Sequence, residues 1–481
     1  MINNIYLKKI KNSWLVILVL IIYLIILILF NQSVFFWDSI TIISKPANFL
    51  YENGLFNFIK PSIYDNGDPQ IIPLFLAAFW KIFTRSIFIS HIFFGIFTFV
   101  ALYQLLKLTI LFFETKYVQY VFALIAFEPV FMTQTTGMFQ DCFLIIFSLL
   151  AIRAYFSNKK ILLSISFLFL CMVSRRGMLT CFSFMLAIFF IEVFQNCYSI
   201  KQFAKHFFLI FIPAILFVLF YIWWRLKFFG WFFTTNDTNY GDFIQNNKMF
   251  FKNLATFFLY MLDKGKIFIW LVILIIGFKN KNRIGNFYKK NKKLFSFTLC
   301  LLLVLLFVTL PLQNPFGNRY FVVIYILLLI ICSRLMIDFV SSKRLTYFFA
   351  LFNVFFLTGH LWIYPEKMAK SWDCTLAHLP YYELRKQCFD YIDRQNMDYE
   401  RISAGFCLYG DRGFTELNQA GKKVGTQLDN QYFIYSNISN LPDEWIDELH
   451  NPAHWKPLRT FEKWPVHITV FENISFKQTE K

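Results

Sequence analysis

The sequence of 481 residues predicts a polytopic α-helical membrane protein that ends in a small α/β domain outside the bilayer. Hydrophobic residues make up 57% of the chain and charged residues only 16%, a composition typical of a chain that is solvated by lipid. Apolar runs of about 18 residues or more, each long enough to cross about 30 Å of hydrocarbon, recur from Trp14 to Trp362. Such runs stop at Tyr364, which divides the chain into a membrane domain (1–363) and a C-terminal domain (364–481).

The apolar runs indicate about eleven transmembrane helices. Their expected ranges are 14–31, 86–107, 117–134, 139–156, 160–174, 177–195, 206–226, 254–278, 294–311, 320–338 and 345–363. This count places all the lysine- and arginine-rich connections on one side, as the positive-inside rule requires. The largest basic connection, 279–293, has no acidic residue and is predicted to be a cytoplasmic loop. The net charge of +18 therefore indicates orientation in the membrane, and we predict no nucleic-acid partner.

The first apolar run follows the basic residues Lys8, Lys9 and Lys11. No small-residue cleavage site comes after it, so we interpret it as an uncleaved first helix with a cytoplasmic N-terminus. The later segment 71–83 is also apolar, but letting it cross would move every later basic loop outside. We therefore predict a short interfacial or re-entrant helix there, within one long outer loop over residues 31–85.

The C-terminal domain is expected on the extracytoplasmic side with a mixed α/β structure. Short apolar runs at 402–408, 432–438 and 466–471 favour strands, and the stretch 381–394 favours a helix. Three of the nine cysteines lie in this domain, and the sequence allows one disulfide among them without indicating its pairing. They are Cys374, Cys388 and Cys407.

Four acidic residues are predicted at the outer face of the membrane domain. Asp38 follows the first helix in FFWDSI, Asp65 and Asp68 form the turn before the interfacial helix, and Asp141 begins a later helix. Ionisable residues at the membrane boundary are costly unless they have a partner or a function. A carboxylate at this face could act on a substrate, but Asp38 and Asp68 are also well placed to cap a helix.

Arginines are predicted at the same face. Arg175 and Arg176 lie in the turn SRRGM, and Arg319 with Tyr320 begins a late helix in NPFGNRYFVV. A guanidinium can hold a phosphate through two parallel hydrogen bonds, although arginines at an interface also bind lipid phosphates. Acids and arginines from separate helices on one face fit a site for a lipid-anchored phosphate and a second polar substrate.

The order of these features resembles the glycosyltransferase C superfamily, in particular the family 39 type with protein O-mannosyltransferases and lipid A aminoarabinose transferases. The resemblance covers about 14–340 and rests on Trp37 with Asp38, the segment 65–74, Asp141, and Arg319 with its neighbouring tyrosine. It implies a membrane enzyme, and the abundance of lysine, asparagine, isoleucine and phenylalanine suggests an AT-rich bacterial genome, so we expect the enzyme in a bacterial cytoplasmic membrane. Such an enzyme transfers a sugar, with inversion, from a polyprenyl-phosphate donor to an extracytoplasmic glycan, lipid or protein acceptor.

The resemblance also implies roles for individual residues. Asp38 would be the general base, and Arg319 with Tyr320, Arg175 and Arg176 would bind the donor phosphate. Other acidic residues are candidates for acceptor binding or for a second catalytic acid, namely Asp65, Asp68 and Asp141.

Two positions depart from the family pattern. Ser39 stands where many members have a second acid, and Asp68 and Gln70 stand where the family has a histidine and a proline. We therefore expect no required metal and no other cofactor.

Two other functions compete with this interpretation. A lipid-linked glycan flippase or transporter would need a polar path through the bilayer, for which Glu128 and Asp263 are the candidates within the apolar spans. A glycan polymerase would be expected to have its large outer loop late in the chain, whereas here it comes first. A catalytically inactive scaffold is a third alternative, and the sequence does not predict which sugar or acceptor is used.

Overall fold

The computed structural model describes residues 13–232, 247–313, 317–368, 371–418 and 420–476. In these residues the membrane domain is a bundle of helices, and the C-terminal domain is a sheet flanked by helices. The α-helices of the membrane domain are α1 (Trp14–Phe30), α2 (Lys45–Asn53), α3 (Ile71–Ile82), α4 (Ile87–Phe112), α5 (Thr115–Ala126), α6 (Pro129–Thr136), α7 (Asp141–Phe156), α8 (Lys160–Val173), α9 (Arg175–Phe189), α10 (Ile200–Phe229), α11 (Asn247–Leu262), α12 (Ile267–Lys279), α13 (Lys281–Thr309), α14 (Val322–Phe339) and α15 (Ser342–Gly359).

Length and composition identify five clear membrane-spanning helices among the described residues. They are α4, α9 with its extension to Gln195, α10, α13, and α14 with the turn before it. The pair α6 and α7, bent by 115°, would make a sixth, and several other apolar helices are shorter. The multi-pass architecture is thus confirmed, whereas the count of eleven crossings stays a prediction.

Two ranges that were predicted as single spans are broken in the structure. Pro129, which has no backbone N–H, starts α6 after a break at Phe127 and Glu128. The break between α11 and α12 contains Lys264 and Gly265 in the left-handed region, with φ of 54° and 85°. These breaks leave ionisable side chains at helix ends instead of in the middle of a span.

The basic segment 279–293, predicted as a loop, is helical. α12 ends at Lys279 and α13 begins at Lys281, so most of the segment forms the first turns of α13. The prediction of a loop was wrong because a run of lysines indicates which side of a membrane a segment occupies, and lysine itself has good helix propensity.

The predicted mixed structure of the C-terminal domain is confirmed. Its strands are β1 (Ile402–Ala404), β2 (Gly410–Asp411), β3 (Lys423–Val424), β4 (Tyr432–Ser436), β5 (Trp455–Lys463) and β6 (Val466–Asn473). Its helices are α16 (Pro380–Arg394), α17 (Arg412–Glu416) and α18 (Asp443–Leu449). The main sheet has the order β1-β4-β6-β5, with β1 parallel to β4 and the other pairs antiparallel. All nine cysteines are free thiols, so Cys374, Cys388 and Cys407 form no disulfide.

The hydrophobic core is divided between the two domains. The larger cluster fills the helical bundle, and a second cluster lies under the sheet of the C-terminal domain. Phe36 and Trp37, which follow α1 in the sequence, pack in the second cluster, whereas Phe35 and Ile40 pack in the first. The segment around Asp38 therefore lies between the two domains.

Candidate active site

A tight turn after α1 presents Asp38. The Ser39 hydroxyl accepts a hydrogen bond from the Phe36 backbone N–H at 3.0 Å and donates one to the Phe36 carbonyl at 2.5 Å. A short π-helix, Ile40–Ser44, follows the turn. The Asp38 backbone carbonyl accepts from the Ile42 N–H at 2.8 Å, while its side-chain carboxylate accepts from the guanidinium of Arg319. The carboxylate is thus directed to a side chain rather than to a helix cap.

Arg319 is the centre of a cluster of three carboxylates. It lies in the 3-10 turn Asn318–Phe321 before α14, with only 5% of its side chain exposed. One terminal nitrogen, Nη2, donates to Asp38, and the other, Nη1, donates to Asp373 of the C-terminal domain. Its Nε lies 3.5 Å from Oδ2 of Asp141. The side chain therefore joins acids from three distant parts of the sequence.

A second arginine extends this acidic cluster. Arg176 is the second residue of α9, and it donates two hydrogen bonds to Asp141, from Nη1 at 2.6 Å and from Nη2 at 3.1 Å. Its guanidinium also lies 4.3 Å from the centre of the Tyr320 ring. The three carboxylates exceed the two guanidinium groups, so the cluster has one net negative charge when all its members are ionised.

Asp373 lies outside the membrane-spanning segments and is buried. Burial raises the pKa of Asp373, Arg319 opposes this effect, and the nearby carboxylates of Asp38 and Asp141 raise the pKa further. Among the three carboxylates, only Asp38 is substantially exposed, with 33% of its side chain accessible against 3% for Asp141 and 5% for Asp373.

A second, basic cluster surrounds the turn before α3. Oδ2 of Asp65 accepts from Nη1 of Arg225 at 2.7 Å, and the Lys60 ammonium lies 3.5 Å from Oδ1. The Arg225 guanidinium lies 4.1 Å from the ring centres of both Phe229 and Trp231. Over the described residues, Nε and Nη2 of Arg225 and Nζ of Lys60 are buried donors without a hydrogen-bond partner. Burial lowers the pKa of Lys60 to about 8, against the opposing effect of Asp65.

Arg175 completes the basic cluster. Its backbone N–H and its Nε donate to Oδ1 of Asp68, at 3.0 and 3.2 Å, and its Nη2 donates to the Asn66 carbonyl at 2.9 Å. The positive φ of Gly67, 78°, brings the turn against the Trp231 ring, which a Cβ atom there would approach to 2.8 Å. Three cations and two carboxylates give this cluster one net positive charge when all are ionised.

The two clusters are neighbours. Arg175 and Arg176 are consecutive in sequence, and each reaches a different cluster. The Asn66 side chain also donates to the Thr41 carbonyl at 3.3 Å, which joins the basic turn to the helical segment after Asp38. An acidic and a basic cluster thus lie side by side where the C-terminal domain meets the bundle.

The structure brings all the predicted site residues into these two clusters. It adds Lys60, Arg225 and Asp373, which sequence reasoning missed. No group of three or more His, Cys, Asp or Glu side chains in the described part of the chain is arranged so that it could hold a metal ion, and the expectation that no metal is required remains a prediction.

Neither a family model nor a curated protein sequence matches this chain. Solved structures of ArnT from Cupriavidus metallidurans do match it, one bound to undecaprenyl phosphate and one in the apo state. Both have a TM-score of 0.52 and 8% sequence identity, and the matches cover 95% and 96% of this chain and 98% of each ArnT chain. The chain has the ArnT fold.

ArnT is a lipid A aminoarabinose transferase of the glycosyltransferase C superfamily. The likeness to ArnT extends over nearly the whole length of both chains, so it includes the C-terminal domain as well as the helical bundle. It confirms the fold that the resemblance to the glycosyltransferase C superfamily implied. At 8% identity it is a likeness of fold.

Proposed function

We propose that this chain is a membrane glycosyltransferase that moves a sugar from a polyprenyl-phosphate donor to an acceptor hydroxyl. The acceptor is a glycan, lipid or protein on the extracytoplasmic side of the bacterial cytoplasmic membrane. The shared fold supports this proposal, because an ArnT structure with that fold binds undecaprenyl phosphate. The adjacent acidic and basic clusters support it too, since the reaction needs a base for one substrate and cations for the other.

The observation that carries the proposal is the exposure of Asp38 within an otherwise buried cluster. One side of its carboxylate is held by Arg319, and a third of its side chain remains accessible. Arg319 is itself fixed by Asp141 and Asp373, so the orientation of Asp38 is determined by buried contacts. A fixed carboxylate with one accessible side is suited to act as a general base.

The donor phosphate is better accommodated in the basic cluster than at Arg319. Carboxylates already occupy the guanidinium groups of Arg319 and Arg176, and their cluster is negative. Arg225, in contrast, has two buried donors, Nε and Nη2, without a hydrogen-bond partner among the described residues, and the Lys60 ammonium has only the Asp65 carboxylate at 3.5 Å. A phosphate would satisfy such donors with charge-assisted hydrogen bonds. We therefore place the phosphate near Lys60, Arg175 and Arg225, and assign Arg319, Arg176 and Tyr320 to the support of Asp38.

The proposed reaction is a single displacement. Asp38 accepts the proton of the acceptor hydroxyl while the hydroxyl oxygen forms a bond with the anomeric carbon. The bond from that carbon to the phosphate oxygen breaks, its electron pair stays on the phosphate, and polyprenyl phosphate leaves. A positioned base contributes about 10² to 10⁴ to the rate, and cations at the phosphate stabilise the developing charge.

The first test is transfer of radiolabelled sugar from a panel of polyprenyl-phosphate sugars by the full chain in nanodiscs. We expect one donor to be consumed. Arg175→Ala should weaken the binding of undecaprenyl phosphate. Arg319→Lys should slow transfer but leave that binding unchanged, because lysine keeps the charge but loses the fork that holds two carboxylates. Lys227→Ala provides a control, because Lys227 is an exposed cation two residues after Arg225 near the end of α10.

Two results would contradict the proposal. Consumption of no donor in the panel would exclude a transferase that uses these donors. Movement of a lipid-linked sugar across sealed proteoliposomes without transfer would favour the flippase instead.

A further inference from the structure

The C-terminal domain holds the segment that contains Asp38. Phe36 and Trp37 are part of its hydrophobic core, although they precede that domain by more than 300 residues in the sequence. The Phe35 backbone N–H also donates to the Thr415 carbonyl at 3.1 Å, and the Ser44 hydroxyl donates to the Phe414 carbonyl. Contacts with the C-terminal domain thus lie on both sides of Asp38 in the sequence.

Two aromatic contacts hold the residues directly before Asp38. The Phe36 ring stacks on His378, with centroids 4.6 Å apart and an interplanar angle of 3°. The Trp37 ring meets Phe406 edge to face, with centroids 4.9 Å apart and an angle of 89°. Aromatic pairs favour such geometries, and each of these two pairs joins the membrane domain to the C-terminal domain.

The backbone of Trp37 explains why it needs this support. Its φ of 58° is in the left-handed region, which a bulky residue rarely adopts. Such a conformation persists only where the surrounding structure fixes it, and it is frequent at functional sites. If Trp37 returned to an ordinary φ, the direction of the next residue would change, and the Asp38 carboxylate would leave Arg319.

We propose that Phe406 is a positioning residue for Asp38 and that it acts through Trp37. The edge-to-face contact holds the Trp37 ring in the core of the C-terminal domain, and this keeps the strained backbone and the Asp38 carboxylate in place. The inference rests on the proposed role of Asp38 as a base. It assigns the C-terminal domain a part in catalysis through residues that do not touch the substrate.

The experiment compares Phe406→Ala with Phe406→Tyr and with Phe461→Ala in the full chain. Phe461 is a matched control, because it is also a half-buried aromatic residue of the C-terminal domain but contacts Tyr391 instead of Trp37. Two quantities are measured: the kcat and KM of transfer, and the labelling of the Asp38 carboxylate by a carbodiimide and an amine without donor. Labelling is quantified by peptide mass spectrometry, so it does not depend on activity.

We expect Phe406→Ala to lower kcat about 10- to 100-fold and to change the donor KM by less than about twofold, because misplacement of a catalytic group affects the transition state more than donor binding. Labelling of Asp38 should increase, since the carboxylate leaves Arg319. Phe406→Tyr should restore both quantities, and Phe461→Ala should change neither.

A second pair of variants tests the backbone. Trp37→Gly and Trp37→Ala both remove the ring, but glycine adopts a positive φ readily and alanine does not. Trp37→Gly should therefore keep more transfer activity than Trp37→Ala, and its Asp38 should be labelled less.

The inference is overturned if Phe406→Ala behaves like Phe461→Ala in both measurements, or if Trp37→Ala equals Trp37→Gly. If the native chain transfers no sugar while labelling still increases in Phe406→Ala, the positioning of Asp38 is supported and the proposed transferase function fails. The two failures are therefore distinguishable.

Discussion

The most specific quantitative prediction concerns Lys60. This lysine is buried in the loop between α2 and α3, and burial lowers its pKa from 10.5 to about 8. An unfolded chain keeps the ordinary pKa, so between pH 8 and 10.5 the unfolded state binds more protons than the folded state. The free energy of unfolding should therefore rise with pH across this window, by at most about 3 kcal/mol at 1.36 kcal/mol per pH unit.

Binding of a phosphate should show the opposite dependence on pH. If the phosphate pairs with the Lys60 ammonium, binding above pH 8 requires uptake of a proton by that side chain. The second ionisation of a phosphate monoester occurs near pH 6, so the ligand itself does not change charge in this range. We expect the affinity for undecaprenyl phosphate to be nearly constant around pH 7 and about tenfold lower at pH 9.

The assay is equilibrium binding of undecaprenyl phosphate to the chain in nanodiscs across this pH range, for the native chain, Lys60→Met and Lys227→Met. Lys60→Met should bind more weakly at pH 7 and should lose most of the pH dependence. The exposed Lys227 lies two residues after Arg225, so Lys227→Met should behave like the native chain. An equal pH dependence in Lys60→Met and the native chain would refute the placement of the phosphate beside Lys60.

Three further predictions concern the groups around the site. Gly67→Ala should weaken binding of undecaprenyl phosphate severalfold, because a Cβ at φ 78° would be strained and would collide with a tryptophan ring; equilibrium binding measures this, and unchanged affinity would contradict it. Asp141→Ala should lower the free energy of unfolding by about 3 kcal/mol by leaving Arg176, only 18% of whose side chain is exposed, without its bidentate partner. The double variant Asp141→Leu/Arg176→Met should recover most of the loss in thermal unfolding. Glu128→Gln should lower the free energy of unfolding by a similar amount, since Lys266 is buried 3.6 Å from the Glu128 carboxylate. Adding Lys266→Met to the same chain should restore stability, and additive losses from the two substitutions would show that the two residues do not interact.

The helical part of the fold was predictable because crossing a bilayer imposes long apolar runs that a sequence displays directly. The places where prediction failed are those where tertiary contacts decide the structure. β5 (Trp455–Lys463) was missed because this edge strand is exposed along most of its length and has no apolar alternation. The break before α12, at residues 263–266, was missed because the apolar runs on its two sides were interpreted as one span, with Asp263 as a charge inside it.

The candidate site shows the same division. Asp38, Asp141 and Arg319 were found because a charged residue beside an apolar span is conspicuous. Their mutual pairing was not predictable, since Asp38 and Arg319 are 281 residues apart in the sequence. Asp373 lies in a segment without periodicity, and nothing in its surroundings distinguished it from an ordinary surface acid.

The basic cluster was missed for a related reason. Arg225 is near the end of a long apolar helix, where an arginine is commonly interpreted as a lipid contact. Lys60 looks like an ordinary loop lysine. Only the folded chain shows that both side chains are buried around Asp65.

The most direct test of Asp38 as the base is the single-turnover rate of sugar transfer at saturating donor for Asp38→Asn. The control is Asp338→Asn, because Asp338 is also 33% exposed and paired with a cation, Lys290. We predict that Asp38→Asn lowers the rate by about 10² to 10⁴ and leaves undecaprenyl phosphate binding nearly unchanged, while the control transfers like the native chain. Transfer by Asp38→Asn at the native rate would contradict the account.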